Sequence, residues 1–300
     1  MKKAFMFSGQ GSQYIGMGKD LYETYEEARI VFDKADEILG YSIKQIMFHD
    51  EDLLNDTQYT QVAMFTFYVA VIEILKKRNI TPDYVLGLSL GEYGALYYQG
   101  VFDFETGLRI LEKRGQYMKN ACSKVQGKMS AILGLDGSEI EKIIKQAKGY
   151  VTIANYNTYG QIVISGEEDA VDFVNTTALE NGAKRAILLN TSGPFHSELM
   201  KEASNQFASY LETISLNEPN ENLLVNITGD FYKGEIKDVM VNQIVSSVRF
   251  YQMIEKLIEH NVSTFIEIGP KNTLCSFVKK IDKSVHLFNI ENSEGINKLL

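Results

Sequence analysis

The strongest chemical signal in this sequence is a serine between two glycines, Gly87-Leu88-Ser89-Leu90-Gly91. The apolar, strand-like segment Tyr84-Val85-Leu86 precedes it, and a helical segment starting at Glu92 follows it. Small residues flanking a serine permit the sharp strand-to-helix turn called a nucleophile elbow, which exposes the serine hydroxyl at the N-terminus of a helix. The pattern therefore predicts that Ser89 is a nucleophile, with a plain tight turn as the alternative.

A serine hydroxyl needs a base that accepts its proton, and histidine is the usual base near neutral pH. Of the four histidines, His196 alone lies in a turn-rich loop, Thr191-Ser192-Gly193-Pro194-Phe195-His196-Ser197. His49, His260 and His286 lie among charged residues or on a strand-like segment, where packing or surface roles explain them. We therefore expect His196 to be the base, because loops between regular elements carry many functional sites.

A second glycine-rich segment spans residues 8–18, after the first predicted strand. It does not fit nucleotide-binding motifs, because Tyr14 replaces the third glycine of Gly-x-Gly-x-x-Gly and Met17 stands where a phosphate loop needs lysine. A backbone N–H of this loop could instead donate a hydrogen bond to a reacting carbonyl, beside the N–H of Leu90. A plain strand-to-helix turn remains the alternative.

These residues must be positioned by strands and helices that alternate along the chain. Apolar segments of strand length at 3–7, 84–88, 223–227, 264–268 and 285–289 each lie near helical segments such as 21–39 and 90–98. This alternation predicts an α/β fold with a parallel, doubly wound sheet, similar to the core of an α/β-hydrolase.

The pattern changes between about Lys128 and Asn190. Predicted strands and helices follow the order β-α-β-β-α-β, which is typical of a ferredoxin-like unit; the segments are 129–135, 138–147, 151–154, 161–165, 168–179 and 183–189. We therefore predict a catalytic core made of residues 1–124 and 192–300, with a small inserted subdomain at 125–191.

Composition and charge exclude several classes of protein. The net charge of −9, from 30 Lys and Arg against 39 Asp and Glu, argues against nucleic-acid binding. The longest apolar stretch, Ala63 to Ile72, is too short to span a bilayer, and the N-terminus lacks a signal-peptide pattern. Cys122 and Cys275 are isolated, so neither a zinc site nor any other metal site is expected. We expect a cytoplasmic protein without a membrane helix.

Several spaced motifs together resemble the malonyl-CoA:acyl carrier protein transacylases, in the same order and over nearly the whole chain. The motifs are Phe7-Ser8-Gly9-Gln10-Gly11-Ser12-Gln13, Thr60-Gln61, Gly87-Leu88-Ser89-Leu90-Gly91-Glu92-Tyr93, Lys113-Arg114-Gly115, Asn155-Tyr156-Asn157 with Gln161, Phe195-His196-Ser197 and Glu267-Ile268-Gly269-Pro270.

The resemblance implies a two-step transfer in which malonyl-CoA acylates Ser89 and an acyl carrier protein then removes the malonyl group. It also implies that the phosphopantetheine thiol belongs to the carrier, so that the enzyme itself needs no cofactor and is expected to be a monomer. The residues that the resemblance assigns are Ser89 and His196 for catalysis, the backbone N–H groups of Gln10 and Leu90 for the oxyanion, the carbonyl of Gln243 for orienting His196, and Arg114, Gln61, Asn155 and Gln161 for substrate binding.

Arg114 carries the specificity that the resemblance implies, because a guanidinium can hold the free malonyl carboxylate through two parallel hydrogen bonds. Two positions depart from the family pattern: Leu88 stands where His is frequent, and Val62 where Pro is frequent. Leu88 cannot make the polar contacts of a histidine. The open alternatives are an acyl-carrier hydrolase, a freestanding malonyltransferase of a polyketide system, and a catalytically silent docking module.

Overall fold

The computed structural model describes residues 1–299 and contains two main sheets. The strands are β1 (Lys2–Phe7), β2 (Tyr84–Gly87), β3 (Gly127–Leu133), β4 (Val151–Thr158), β5 (Gln161–Glu167), β6 (Arg185–Leu188), β7 (Leu224–Val225), β8 (Asp230–Phe231), β9 (Val262–Ile268) and β10 (His286–Ile290).

Fourteen α-helices occur in the part of the chain that the structure describes. They are α1 (Lys19–Thr24), α2 (Glu26–Leu39), α3 (Ile43–His49), α4 (Glu51–Asn55), α5 (Thr57–Lys77), α6 (Glu92–Tyr98), α7 (Phe104–Cys122), α8 (Gly137–Ile144), α9 (Glu168–Glu180), α10 (Lys201–Glu212), α11 (Ile236–Gln243), α12 (Phe250–Glu259), α13 (Thr273–Ile281) and α14 (Ser293–Asn297).

The larger unit is built on a parallel sheet with the strand order β10-β9-β1-β2. Apolar side chains of β1, such as Phe5 and Phe7, are fully buried against helices of the main core. Parallel sheets are covered on both faces, which explains why these strands read as continuous apolar runs. The predicted α/β fold with a parallel sheet is confirmed.

Helix α5 passes through the centre of this core. Every residue from Gln61 to Ile72 is buried, although the helix carries Gln and Thr among its apolar residues. By length and composition α5 could cross a membrane, but 83% of its most apolar 18-residue window is buried inside the protein. We therefore interpret α5 as a central helix of the protein core.

The smaller sheet is antiparallel, with the strand order β4-β5-β3-β6. Helices α8 and α9 complete the predicted β-α-β-β-α-β order and share an apolar cluster with this sheet. Two backbone hydrogen bonds connect it to the larger unit, Tyr156 N–H to Val248 O and Val248 N–H to Ala154 O, both 2.8 Å. The domain boundaries at 125 and 191 stay a prediction.

Two predicted elements differ from the structure by more than a shift of their ends. The helix expected at 21–39 is divided into α1 and α2, because Tyr25 adopts an extended backbone with φ −116° and ψ 129°. The strand expected at 223–227 is only the two-residue β7, which pairs with β8 in a hairpin. Leu223 nevertheless forms an isolated parallel bridge with Val85, so the hairpin lies beside the end of β2.

Candidate active site

Ser89 lies on a sharp turn between β2 and α6, as its flanking glycines predict. Its backbone has φ +54°, a left-handed conformation that is uncommon for residues other than glycine. A Cβ on Gly87 would lie 2.0 Å from the carbonyl carbon of Gly91, and a Cβ on Gly91 would lie 2.0 Å from the carbonyl oxygen of Phe7. Only glycine at both positions lets the turn close this tightly against β1.

His196 is hydrogen-bonded to Ser89, with 2.7 Å between Nε2 and Oγ. On the other side of the ring, Nδ1–H donates to two backbone carbonyls, Gln243 O at 3.0 Å and Ser246 O at 3.1 Å. These two acceptors place the proton on Nδ1 and leave Nε2 free to accept the Ser89 proton. The carbonyl of Gln243 thus makes the contact that the family resemblance implies, and that of Ser246 is an additional partner.

Burial is the main cause that lowers the pKa of His196, from its usual 6.5 to about 4, and the positive charge of Arg114 lowers it further. The two carbonyl acceptors act in the opposite direction. His196 is therefore a neutral ring at physiological pH, ready to act as a base.

Leu90 and Gln10 both line the cavity, Leu90 from the elbow and Gln10 from the loop after β1. Neither backbone N–H donates a hydrogen bond to another group within residues 1–299. The loop passes close to the elbow, since a Cβ on Gly9 would lie 2.9 Å from Leu88 O. Two free N–H groups beside a serine nucleophile are the donors that an oxyanion hole needs.

Arg114 is fully buried yet lines the cavity. It projects from the middle of α7 and donates to two neutral amides, Gln61 Oε1 at 2.8 Å and Gln243 Oε1 at 3.0 Å. Its guanidinium carbon lies 5.1 Å from the centre of the Tyr93 ring. The next residue, Gly115, allows α7 to pack closely against the start of α5, because a Cβ there would lie 3.0 Å from Thr57 O.

The Arg114 guanidinium has no carboxylate partner within 4.0 Å among the described residues, and its Nε has no hydrogen-bond partner there. A buried charge is costly unless it is paired. The arrangement therefore favours an anionic ligand that enters the cavity and supplies the missing negative charge.

The cavity has a volume of about 960 Å³ and is lined by both polar and apolar side chains. Asn155 lines it, as expected, and so does Asn157, whose buried Oδ1 has no hydrogen-bond partner within residues 1–299. Met118, Phe195 and Phe277 contribute apolar surface. This volume and mixed lining are typical of a small-molecule site.

Two predicted substrate-binding residues do not line the cavity. Gln61 lies behind Arg114 and orients its guanidinium, so the structure gives it an indirect role. Gln161 lies at the start of β5, where its Oε1 accepts a hydrogen bond from Lys280 Nζ at 3.1 Å. Gln161 is half-buried, and this bond holds its side chain against α13 outside the cavity lining.

Reasoning from the sequence missed Asn226, which contacts the elbow from the turn after β7. Its Oδ1 accepts a hydrogen bond from Ser89 N–H, and its Nδ2 donates to Gly87 O, both at 2.6 Å. The only signal was a polar residue directly after an apolar segment, Leu223-Leu224-Val225, at the carboxyl end of a strand where sites are common. Within residues 1–299, no group of three or more His, Cys, Asp or Glu side chains could hold a metal ion.

Residues 4–295 match the family model described as an acyl transferase domain. The "Malonyl CoA-acyl carrier protein transacylase" of Bacillus subtilis (strain 168) is 41% identical over 301 residues, which cover 98% of this chain and 95% of the relative. The protein of the same name from Staphylococcus aureus (strain MRSA252) is 38% identical, with 98% and 97% covered.

Solved structures of similar proteins agree with this match. The malonyl CoA-acyl carrier protein transacylase from Clostridium perfringens superimposes with a TM-score of 0.96 at 39% identity, covering 100% of this chain and 96% of that one. A malonyl-transacylase in complex with a type II PKS acyl-carrier protein has a TM-score of 0.96 at 32% identity, with 100% and 99% covered.

Proposed function

Because this chain belongs to the acyl transferase family, among the malonyl CoA-acyl carrier protein transacylases, we propose that it transfers malonyl groups from malonyl-CoA to an acyl carrier protein in fatty acid biosynthesis. The enzyme is an acyltransferase that works through a malonyl-Ser89 intermediate. We propose no cofactor for the enzyme, because CoA is released in the first half-reaction and the phosphopantetheine arm is part of the carrier.

In the first half-reaction, Ser89 Oγ attacks the thioester carbon while His196 Nε2 takes the hydroxyl proton. The N–H groups of Gln10 and Leu90 hold the negative oxygen that forms on this carbon. The carbon–sulfur bond then breaks, and the proton on His196 passes to the CoA sulfur. The products are malonyl-Ser89 and free CoA.

The second half-reaction reverses these steps with a different thiol. The phosphopantetheine thiol of the carrier gives its proton to His196 and attacks the Ser89 ester. When the ester bond breaks, the proton returns to Ser89 Oγ, so His196 serves as base and acid in turn. Malonyl-carrier protein leaves, and the enzyme is restored.

The single observation that carries the malonyl assignment is the buried Arg114, which has no carboxylate partner among residues 1–299. Its two amide contacts, from Gln61 and Gln243, orient the guanidinium without neutralising it. A malonyl group brings the carboxylate that acetyl groups lack. Charge-assisted, bidentate pairing is the strongest form of such recognition.

The alternative functions have less support. Water could release the acyl group from Ser89 in a hydrolase, but a hydrolase that clears stray acyl groups has no need of a buried cation for a malonyl carboxylate. The solved structure at 32% identity is a malonyl-transacylase in complex with a type II PKS acyl-carrier protein. The names of the relatives at 38–41% identity do not mention polyketide synthesis. A silent docking module does not account for a formed Ser89–His196 hydrogen bond.

The test of this proposal is Ser89→Ala, examined by intact-protein mass spectrometry after mixing with malonyl-CoA. We expect a malonyl adduct on the wild-type protein and none on the variant. Ser192→Ala is the matched control, since Ser192 lines the same cavity but is hydrogen-bonded to Thr57; its adduct should persist. An unchanged adduct on Ser89→Ala would exclude Ser89 as the nucleophile.

A monomeric state and a cytoplasmic location are further parts of the proposal. Among residues 1–299, five of the large exposed apolar side chains lie singly, as on many monomers, and the other four lie in pairs on α9 and β6, which adjoin each other. Cys122 and Cys275 are free thiols, which fits a reducing compartment. Light scattering after size-exclusion chromatography tests the first point, and cell fractionation tests the second.

A further inference from the structure

Asn226 is a fully buried residue whose side chain is hydrogen-bonded to the backbone on both sides of the nucleophile elbow. Its amide oxygen accepts the N–H of Ser89, and its amide nitrogen donates to the carbonyl of Gly87, each over 2.6 Å. The planar side-chain amide of Asn226 thereby connects Gly87 at the end of β2 to Ser89, the residues on either side of Leu88.

The backbone of Asn226 is itself held in place from two directions. Its N–H donates to Glu92 Oε2 at 2.6 Å, and its carbonyl accepts the N–H of Arg249 at 3.0 Å. Glu92 is buried and is the first residue of α6, directly after the elbow. The strand before Ser89 and the helix after it are thus connected through the same residue.

The elbow needs such support because Ser89 has a positive φ, which costs free energy and persists only where surrounding contacts hold it. We propose that Asn226 is a positioning residue, whose side-chain amide holds the elbow so that Ser89 Oγ stays within hydrogen-bond distance of His196 Nε2. Asn226 also accepts the Ser89 N–H, whereas the N–H of Leu90 has no partner in the described part of the chain. It does not line the cavity, so it acts through Ser89 and not on the substrate.

The experiment compares three variants by two reactions of Ser89. Asn226→Ala removes both bonds, and Asn226→Asp keeps an acceptor for the Ser89 N–H but turns a carboxylate oxygen toward Gly87 O. Asn222→Ala is the matched control, because it removes bonds from the same segment to Asp83 O and Gln99 without reaching the elbow. The two reactions are sulfonylation of Ser89 by phenylmethylsulfonyl fluoride and single-turnover malonylation by malonyl-CoA.

We expect Asn226→Ala to slow both reactions about 100-fold, since small displacements of reacting groups have effects of this size. Asn226→Asp should be slowed to an intermediate extent, and Asn222→Ala should react like the wild type. Malonyl-CoA binding, measured by calorimetry in a Ser89→Ala background, should not change with Asn226→Ala, because Asn226 does not touch the substrate.

Wild-type rates in folded Asn226→Ala would overturn the proposal, and so would equal slowing by Asn222→Ala. If Asn226→Ala does not fold, Asn226→Asp decides, because its shape is nearly the same. The role in malonyl transfer rests on the proposed function, but sulfonylation needs no malonyl group. A wild-type protein that is sulfonylated without being malonylated would therefore refute the proposed function and leave the role of Asn226 to be decided by sulfonylation.

Discussion

Arg114 is the residue on which acyl-group selectivity depends in this site. We predict that Arg114→Ala slows acylation by malonyl-CoA about 100-fold or more and slows acylation by acetyl-CoA much less. A charge-assisted, buried hydrogen-bond pair contributes a few kcal/mol, and only the malonyl group makes it. Steady-state kinetics with each thioester measures the change in selectivity.

The control for this variant is Arg109→Ala, on the same helix α7. Arg109 is partly exposed and lies 3.6 Å from Glu112, away from the cavity. This control should leave selectivity unchanged. Equal losses of malonyl and acetyl transfer in Arg114→Ala would show that Arg114 supports the fold and not the choice of acyl group.

The pKa of His196 predicts how the reactivity of Ser89 depends on pH. Burial and Arg114 lower this pKa to about 4. The ring therefore stays unprotonated until the pH of the solution falls well below 6.5, the ordinary pKa of histidine. The rate of Ser89 sulfonylation should therefore stay constant from neutral pH down to about pH 5 and then fall, because protonated His196 cannot act as a base.

Arg114→Ala sharpens this prediction at the same residue. Without the cation, the pKa of His196 should rise, and the decline in rate should begin at higher pH than in the wild type. Sulfonylation is the suitable measurement because its reagent carries no carboxylate. A wild-type rate that falls with an apparent pKa near 6.5 would contradict the lowered value.

At the scale of the elements, the close contact between the elbow and β1 makes Gly91 a critical position. We predict that Gly91→Ala destabilises the protein by about 3 kcal/mol or more, since its Cβ would lie 2.0 Å from the backbone oxygen of Phe7. Neither β1 nor the elbow can move without disturbing the sheet. Calorimetric unfolding gives the change in Tm.

Gly160→Ala provides a control of the same chemical size. A Cβ on Gly160 would meet no atom closer than 3.9 Å, and its backbone does not have a left-handed φ. Its Tm should stay within a few degrees of the wild type. If Gly91→Ala were as stable as Gly160→Ala, the packing explanation for the second elbow glycine would be wrong.

For the whole molecule, the distribution of charge bears on the carrier protein. The net charge is −9, and the family resemblance implies an acidic carrier. We therefore expect a local basic region that offsets the repulsion. Exposed lysines and an arginine occur near one end of the smaller sheet and at the end of α13; they are Lys184, Arg185, Lys279, Lys280 and Lys283.

The register of the smaller sheet brings these two groups together. Leu133 on β3 pairs with Gln161 on β5 and with Arg185 on β6, and Gln161 accepts a hydrogen bond from Lys280. Since neighbouring strands lie about 4.8 Å apart, the backbones of Gln161 and Arg185 are separated by only about 10 Å. Gln161 thus lies within the basic region.

We predict that Arg185→Glu with Lys280→Glu raises KM for carrier protein several-fold and leaves acylation by malonyl-CoA unchanged. The carrier takes part only in the second half-reaction, and its electrostatic attraction should weaken as salt is added. Kinetics with each substrate varied in turn, at low and physiological ionic strength, provide the measurement.

Lys34→Glu on α2 is the control for the double variant, because it reverses an exposed charge far along the chain from this basic region. It should have little effect on the KM for carrier protein. Carrier kinetics that respond neither to salt nor to the double substitution would remove this region from consideration as the docking surface.

The sequence by itself determined the features that depend on short stretches of chain. The elbow around Ser89 needs only small residues at fixed spacing, and the order of strands and helices follows from apolar periodicity over ten or so residues. The loop around His196 predicts its role, whereas the role of Arg114 follows only from the family resemblance of its Arg-Gly motif. The predicted split in two sheets also follows from local patterns, because each strand and helix shows its own period.

Only the tertiary structure decided which distant residues meet. Asn226 reaches Ser89 across 137 positions, and Gln243 reaches Arg114 across 129. Gln61 and Gln161 carry the same amide, yet one orients Arg114 inside the core and the other binds Lys280 at the surface. Such pairings arise from how helices and strands pack, and the hydrogen-bonding capacity of an amide does not depend on its neighbours in sequence. The local sequence pattern around a glutamine or asparagine therefore does not predict which group its side-chain amide will bind.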